Sequence, residues 1–93
     1  MGLDEEDFQE LVELFVTTTL SDIEKIKDGV LNNSSKDAAA ASHSIKGASG
    51  NLGFDEIFTL VKSMEEKAKE DNLDDFEKYI IDLENMVNEL DKM

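Results

Sequence analysis

Apolar residues recur every three to four positions along almost the whole chain, and none of its 93 residues is a proline. This spacing places apolar side chains on one face of an α-helix, whereas a half-buried strand needs them at every second position. Because proline is absent, no residue forces a break inside these periodic segments. We therefore expect the chain to fold from amphipathic helices, and the predicted fold class is all-α.

Four amphipathic segments can be distinguished, and polar residues or glycine separate them. Asn32-Asn33 ends the first segment, and Ser34, with an acidic residue three positions later, is a typical start for the second. We expect the second helix over about residues 36–51, with Gly53 closing it and residues 72–75 capping the fourth. The stripes of the first, third and fourth helices contain Phe8, Leu11, Val12, Phe15, Ile23, Ile26 and Val30, then Ile57, Leu60, Val61, Met64 and Ala68, then Phe76, Ile80, Leu83, Val87 and Leu90.

The links between these segments are short, and short links make sequential helices antiparallel neighbours. A chain of this length has room for one domain and one hydrophobic core. The prediction is therefore a single domain over residues 1–93, folded as an antiparallel four-helix bundle.

The composition excludes several classes of function. The net charge of −14 argues against nucleic acid and anionic membranes as partners, because both would repel the protein. No apolar run approaches the roughly 20 residues of a membrane span, and the N-terminus is unlike a signal peptide. Without cysteine there is neither a disulfide framework nor a cysteine-based zinc site. We expect a cytoplasmic protein.

The negative charge is unevenly distributed along the chain. Between positions 36 and 62 the basic and acidic residues balance, so the whole excess of negative charge lies outside this stretch. The balanced residues are Lys36, Lys46 and Lys62 against Asp37, Asp55 and Glu56. The neutral stretch is where we expect the chemistry.

The second helix differs from the others, because its apolar face carries mostly small residues. On a helical wheel, His43 points about 150° away from the centre of that face, so the only histidine of the chain is expected at the surface. The small residues would let neighbouring helices approach closely. The face contains Ala38, Ala41, Ser42, Ile45, Ser49 and Leu52.

Three residues on the same side of the second helix surround His43. Lys46 follows three positions later, where its ammonium group can reach the ring, and we expect it to be exposed. Gly47 follows four positions later and covers nothing, and Gly50 follows seven positions later. A glycine inside a helix costs about 0.8–1 kcal/mol relative to alanine. Either residues 47–50 form a loop, or a partner's surface must approach the imidazole closely.

The segment from His43 to Phe54 closely resembles the signature of the histidine-containing phosphotransfer (HPt) family. In that signature the phosphorylated histidine is followed by an apolar residue at the second position, a Lys-Gly pair, small residues and a closing Leu-Gly. Here the segment is His43-Ser44-Ile45-Lys46-Gly47-Ala48-Ser49-Gly50-Asn51-Leu52-Gly53-Phe54. It is also similar to the amino-terminal phosphotransfer domain of chemotaxis-type histidine kinases.

The resemblance implies that His43 accepts a phosphoryl group on Nε2, from ATP held by a histidine kinase or from a receiver aspartate, and passes it to a receiver aspartate. Lys46 would offset the phosphoryl charge, with Gly47 and Gly50 leaving room for docking. In chemotaxis-type kinases a glutamate hydrogen-bonds the other ring nitrogen, and Glu65 stands at that position. Lys62, on the same helix, is a further supporting residue of the predicted site. The resemblance implies no cofactor in this chain, Mg²⁺ in the partner, and a carrier that is not itself an enzyme.

Several alternatives stay open from the sequence. Glu65 is otherwise a solvated acid in the pair Glu65-Glu66, and Phe54, Ile57 and Phe58 belong either to the core or to a docking surface. The chain is either a free-standing carrier or a phosphoacceptor domain cut from a larger chemotaxis-type kinase. A helical bundle that only binds other proteins is a further alternative, which would leave the glycines beside the histidine unexplained.

Overall fold

The computed structural model of the protein describes residues 5–92 and contains four helices: α1 (Glu5–Leu31), α2 (Ser35–Leu52), α3 (Asp55–Lys69) and α4 (Phe76–Asp91). Consecutive helices pack against each other, and α4 returns to pack against α1. The helices therefore enclose one core, and the predicted antiparallel four-helix bundle is confirmed. Residues 1–4 and 93 of the predicted single domain lie outside the described residues.

The apolar stripes meet in this core, except that Phe8 of α1, which was expected on the stripe, is exposed. Each helix contributes a side chain with no measurable exposure, namely Ile26, Ile45, Val61 and Leu83. Complete burial of one such side chain stabilises the folded state by about 1.5–3 kcal/mol. Within the described part of the chain, no helix is long and apolar enough to cross a membrane.

The turn between α2 and α3 decides what lies opposite His43. Gly53 has a φ of 77°, in the left-handed region that favours glycine, and it ends α2 as predicted. The N–H of Gly53 donates to the carbonyl of Gly50 (3.3 Å), and the N–H of Phe54 donates to that of Ser49 (2.9 Å). This tight closure sends α3 back along α2, so the middle of α3 lies beside the middle of α2.

The starts of α2 and α4 differ in how they are capped. The side-chain oxygen of Ser34 accepts from the N–H of Asp37 (3.4 Å), as expected for an N-cap. At the start of α4, Asp75 has a φ of 66° and makes no capping bond with its side chain. Asn72 instead accepts from the N–H of Asp74 (3.0 Å), a local turn. The N-cap of α4 thus lies within residues 72–75, as predicted, although its side chain makes no capping bond.

The two glycines of α2 lie in different surroundings. Both are inside the helix, so the loop interpretation of residues 47–50 is wrong. A Cβ added at Gly47 would meet no atom within 4 Å, whereas one at Gly50 would lie 3.3 Å from the ring carbons Cδ2 and Cε2 of Phe58. Packing therefore explains Gly50, since it lets the half-buried Phe58 ring approach α2. The structure gives no packing reason for Gly47.

This difference predicts different outcomes for two matched substitutions. Gly47→Ala should raise the free energy of unfolding by about 0.5–1 kcal/mol, because it removes the entropy cost of a helical glycine and adds a methyl group into open space. Gly50→Ala should gain less or lose stability, because the Phe58 ring must shift. Urea denaturation of both variants beside the parent measures this. Equal stabilisation by both would contradict the packing account of Gly50.

Candidate functional site around His43

His43 lies near the middle of α2, on the side facing away from the core. Its side chain is 67% exposed, whereas the inward residues of the same helix, Ala41, Ser42 and Ile45 among them, are buried. The predicted surface position of the histidine is confirmed. The helical period alone produces this arrangement, because the core side of α2 is fixed by its small and apolar residues.

A buried carboxylate of α3 lies beside the ring. Glu65 is 3% exposed, and its Oε2 lies 2.9 Å from Nδ1 of His43. The Oε1 atom accepts from Nζ of Lys46 (2.7 Å), and Oε2 also accepts from Nζ of Lys69 (3.2 Å). Glu65 is thus not a solvated acid. Its carboxylate accepts hydrogen bonds from three side chains, two on α2 and one on its own helix, α3.

Local geometry explains how these residues meet. Lys46 is one helical turn beyond His43 on α2, and Lys69 is four residues beyond Glu65 on α3, so each pair shares a helix face. The Gly53 turn places those two faces against each other. Lys46 is 27% exposed, so the expectation of an exposed lysine is wrong, because the buried carboxylate holds its ammonium group partly beneath the surface.

The electrostatic balance at Glu65 favours the charged form. Burial by itself raises the pKa of this carboxyl, because water no longer solvates the charge. Hydrogen bonds from Lys46, Lys69 and His43 outweigh burial and lower the pKa from 4.5 to about 2. Glu65 is therefore ionised near neutral pH.

The ionised carboxylate determines which nitrogen of His43 carries the proton. A carboxylate can only accept hydrogen bonds, so Nδ1 of His43 must be the donor in the 2.9 Å contact. In the neutral imidazole the lone pair then belongs to Nε2. An exposed ring with a free Nε2 and a buried anion behind Nδ1 can act as a nucleophile, because the anion stabilises the positive charge that the ring acquires.

The remaining predicted site residues are placed differently. Gly47 leaves the surface beside His43 open. Lys62 is exposed on α3 and, among residues 5–92, has no ion-pair partner within 4 Å. Gly50 packs against Phe58, and of the three residues with an open assignment, Ile57 is core at 3% exposure while Phe54 and Phe58 are half-buried. The structure brings together His43, Lys46 and Glu65.

Sequence reasoning missed two features of this region. Lys69 was not identified, although its spacing of four from Glu65 is a usable signal. The hydroxyl of Ser44 donates to Asp22 of α1 (2.9 Å), which also pairs with Lys25 (3.7 Å), and no sequence pattern indicated this link. This hydrogen bond links α2 to α1 at the residue next to His43.

In the described range 5–92, no group of three or more His, Cys, Asp or Glu side chains is arranged to hold a metal ion.

The low pKa of Glu65 predicts a specific dependence of stability on pH. A folded-state pKa of about 2, below the usual 4.5, stabilises the fold above pH 4.5, and this stabilisation is lost as the pH falls towards 2. Glu65→Gln should therefore lower the free energy of unfolding near pH 7 by roughly 3 kcal/mol. The difference from the parent should shrink between those two pH values.

Denaturant unfolding of both proteins across this pH range measures the effect. Glu66→Gln is the matched control, since it changes the exposed neighbouring acid and should alter stability by less than about 0.5 kcal/mol. A parent–variant difference that stays constant from neutral to acid pH would contradict the assigned ion-pair cluster.

Comparison with known proteins supports one family. A family model described as Hpt domain matches residues 10–93, which is most of the chain. The comparisons with curated proteins and with solved structures gave no match. Hpt domains are phosphocarriers that act with kinases and receivers in two-component phosphorelays. The helical bundle and the family match lead to one conclusion: the chain belongs to the Hpt domain family and has a histidine phosphotransfer role.

Proposed function

We propose that His43 is the phosphoryl acceptor of this domain, and that the domain carries the group between a histidine kinase and the aspartate of a response-regulator receiver. One observation carries the proposal. The 2.9 Å contact between Nδ1 of His43 and Glu65 leaves Nε2 as the free nitrogen of a side chain that is 67% exposed. It is the only histidine in the sequence.

The proposed transfer consists of two successive displacements at phosphorus. The Nε2 lone pair of His43 attacks the γ-phosphoryl of ATP or a receiver aspartyl phosphate, and the bond to the leaving oxygen breaks as the N–P bond forms. The ring then bears positive charge, which the carboxylate of Glu65 stabilises through Nδ1–H. In the second displacement a carboxylate oxygen of a receiver aspartate attacks the phosphorus, and the ring returns to its neutral form.

Lys46 is the cation best placed to act on the phosphoryl oxygens. Its ammonium group has three N–H donors, and the 2.7 Å bond to Oε1 of Glu65 uses one. The other two are available to offset negative charge on the transferred group. Lys62, exposed on α3 three residues before Glu65, would add a positive charge at longer range.

The partner is expected to supply the rest of the transfer machinery. Phosphoryl transfer depends mainly on positioning and charge neutralisation, and we assign Mg²⁺ and its acidic ligands to the kinase or receiver. The domain is then a substrate and carrier without catalytic activity of its own, acting in the cytoplasm where such partners work. The open surface at Gly47 is the proposed place where a partner's backbone approaches the ring.

One contact favours a particular type of phosphoryl donor. The bond between Glu65 and Nδ1 of His43 is the one implied by the resemblance to chemotaxis-type histidine kinases. We therefore propose a kinase domain of that type as the donor, on the same chain or on another.

The phosphosite assignment predicts a distinctive chemical stability. Incubation with a phosphorylated receiver domain should add one phosphoryl group to the protein, detectable by intact mass. The modification should be lost in acid and retained in base, because a phosphorus–nitrogen bond is cleaved when the ring is protonated. Phosphate that survives acid, or labelling of a His43→Gln variant, would refute the assignment.

The docking role of Gly47 predicts that folding and transfer respond separately to its substitution. Gly47→Gln should fold at least as well as the parent, since glutamine is a good helix former, with a gain of up to about 1 kcal/mol. Its side chain leans back over the imidazole and should slow receiver-to-domain transfer at least tenfold. Gly47→Ala is the matched control and should transfer at close to the parental rate. Normal transfer by a stable Gly47→Gln variant would remove the docking role.

A further inference from the structure

The line along which α1 and α4 pack against each other, here the α1–α4 seam, opens into a groove at the N-terminal part of α1. Apolar and acidic side chains line this groove, among them Phe8, Val12, Glu13 and Val16 of α1 and Leu90 and Asp91 of α4. The groove has a volume of about 220 Å³, whereas small-molecule pockets usually have roughly 300–1,000 Å³. It is therefore better suited to side chains of another protein than to a free ligand.

Exposed apolar side chains continue along the seam beyond the groove. Lys27 and Glu84 pair across the seam (2.9 Å) and mark the faces of α1 and α4 that meet there. Leu20 lies two helical turns before Lys27 on α1, and it is 39% exposed. Ile81 lies about one turn before Glu84 on α4, and it is 56% exposed. Together with the exposed Phe8, these residues form an aligned apolar surface, which is typical of a binding surface, rather than apolar residues scattered singly.

The surroundings of the seam are strongly acidic. By sequence, α1 holds eight acidic residues and two lysines and α4 holds five and one, whereas α2 and α3 together hold five of each. At the seam itself the structure places four acids and one lysine, namely Glu13, Glu24, Glu84, Asp91 and Lys27. Lys27 already pairs with Glu84 and with Glu24 (3.4 Å), so the seam retains an excess of negative charge.

The other lysines of this region do not offset the excess. Lys25 pairs with Asp22 (3.7 Å) on the side of α1 that faces α2. Lys92 pairs with Glu89 (3.8 Å). Lys78 is exposed, but its spacing along α4 places it on a different face of the helix from the seam.

We propose that the α1–α4 seam is a docking surface for a basic amphipathic helix of a partner protein. The apolar face of that helix would cover Phe8, Leu20 and Ile81, and its lysines or arginines would meet the acids beside them. A groove between two helices suits apolar residues at the three- and four-residue spacing of a third helix. Charge complementarity selects this occupant, because a second copy of this chain would bring like charges together at the seam.

The seam lies on the opposite side of the bundle from the candidate site. His43 of α2 bonds to Glu65 of α3, whereas the seam is formed by α1 and α4. Helix α2 packs against α1 and α3, and α4 packs against α3 and α1, so the two helix pairs face away from each other. A partner on the seam therefore leaves the imidazole accessible, and docking there is independent of the proposed phosphoryl transfer.

A peptide titration tests the proposal. The probe is a synthetic peptide of leucine and lysine at the spacing of an amphipathic helix, and the controls are a scrambled peptide of the same composition and a leucine–glutamate peptide. Amide NMR shifts of the labelled protein should cluster on α1 and α4 around Phe8, Leu20 and Ile81, and binding should weaken with added salt. Shifts that cluster on α2 and α3, equal binding of the scrambled peptide, or no binding would overturn the proposal.

Substitutions at the seam provide the second test. Leu20→Gln combined with Ile81→Gln should keep the parental helix content and weaken binding of the leucine–lysine peptide by at least about fivefold, while transfer from a phosphorylated receiver domain stays at the parental rate. Leu14→Gln is the matched control, since Leu14 is 63% exposed on α1 but does not line the groove, and it should bind the peptide like the parent.

Two outcomes would assign the surface differently. If the folded double variant transfers phosphoryl groups slowly, the seam is part of receiver docking. If the parent protein forms a dimer in sedimentation experiments that the double substitution abolishes, a second copy of the chain is the occupant. Either result would overturn the proposed separate docking of a basic helix.

Discussion

The burial of Glu65 is the constraint on which the site depends. A carboxylate that is 3% exposed is strongly destabilising unless donors surround it, and here the donors come from both α2 and α3. The requirement fixes the register between the two helices, since a shift of one helical turn would separate Glu65 from His43 and Lys46. The same requirement orients the imidazole and places the proton on Nδ1. A structural need, the compensation of a buried charge, thus prepares the ring for chemistry.

The glycines in and after α2 have two different effects. Some allow α3 to pack closely, and one leaves the surface beside His43 open. At Gly50 the missing side chain lets the Phe58 ring of α3 pack closely, and at Gly53 the left-handed backbone begins the turn. At Gly47 the missing side chain only exposes the surface next to His43. The first two bring α3 to the position from which Glu65 reaches the ring. The third carries a cost in helix stability for which the structure gives no packing reason, and the proposed docking role would account for it.

The charge around His43 contrasts with that of the whole protein. The chain carries a net charge of −14, yet the site groups Lys46 and Lys69 on one carboxylate. Cations at this place suit a phosphoryl group, whose oxygens are anionic before and after transfer. The two lysines bonded to Glu65 differ in their contacts, because Lys46 alone bonds to Oε1 while Lys69 shares Oε2 with Nδ1 of His43.

The sequence by itself determined the features that depend on local spacing. The helical period predicted four helices and placed His43 on the outer side of α2, and Gly53 predicted where that helix ends. The tertiary structure decided everything that depends on the register between helices. It selected Glu65 over its neighbour Glu66 as the buried acid, drew Lys46 partly beneath the surface, added Lys69, gave Gly50 a packing role and left Asp75 without a capping bond. The physical reason is that spacing along one helix specifies which side chains share a face, whereas the atoms that meet across two helices depend on the turn, the close approach and the buried charge acting together.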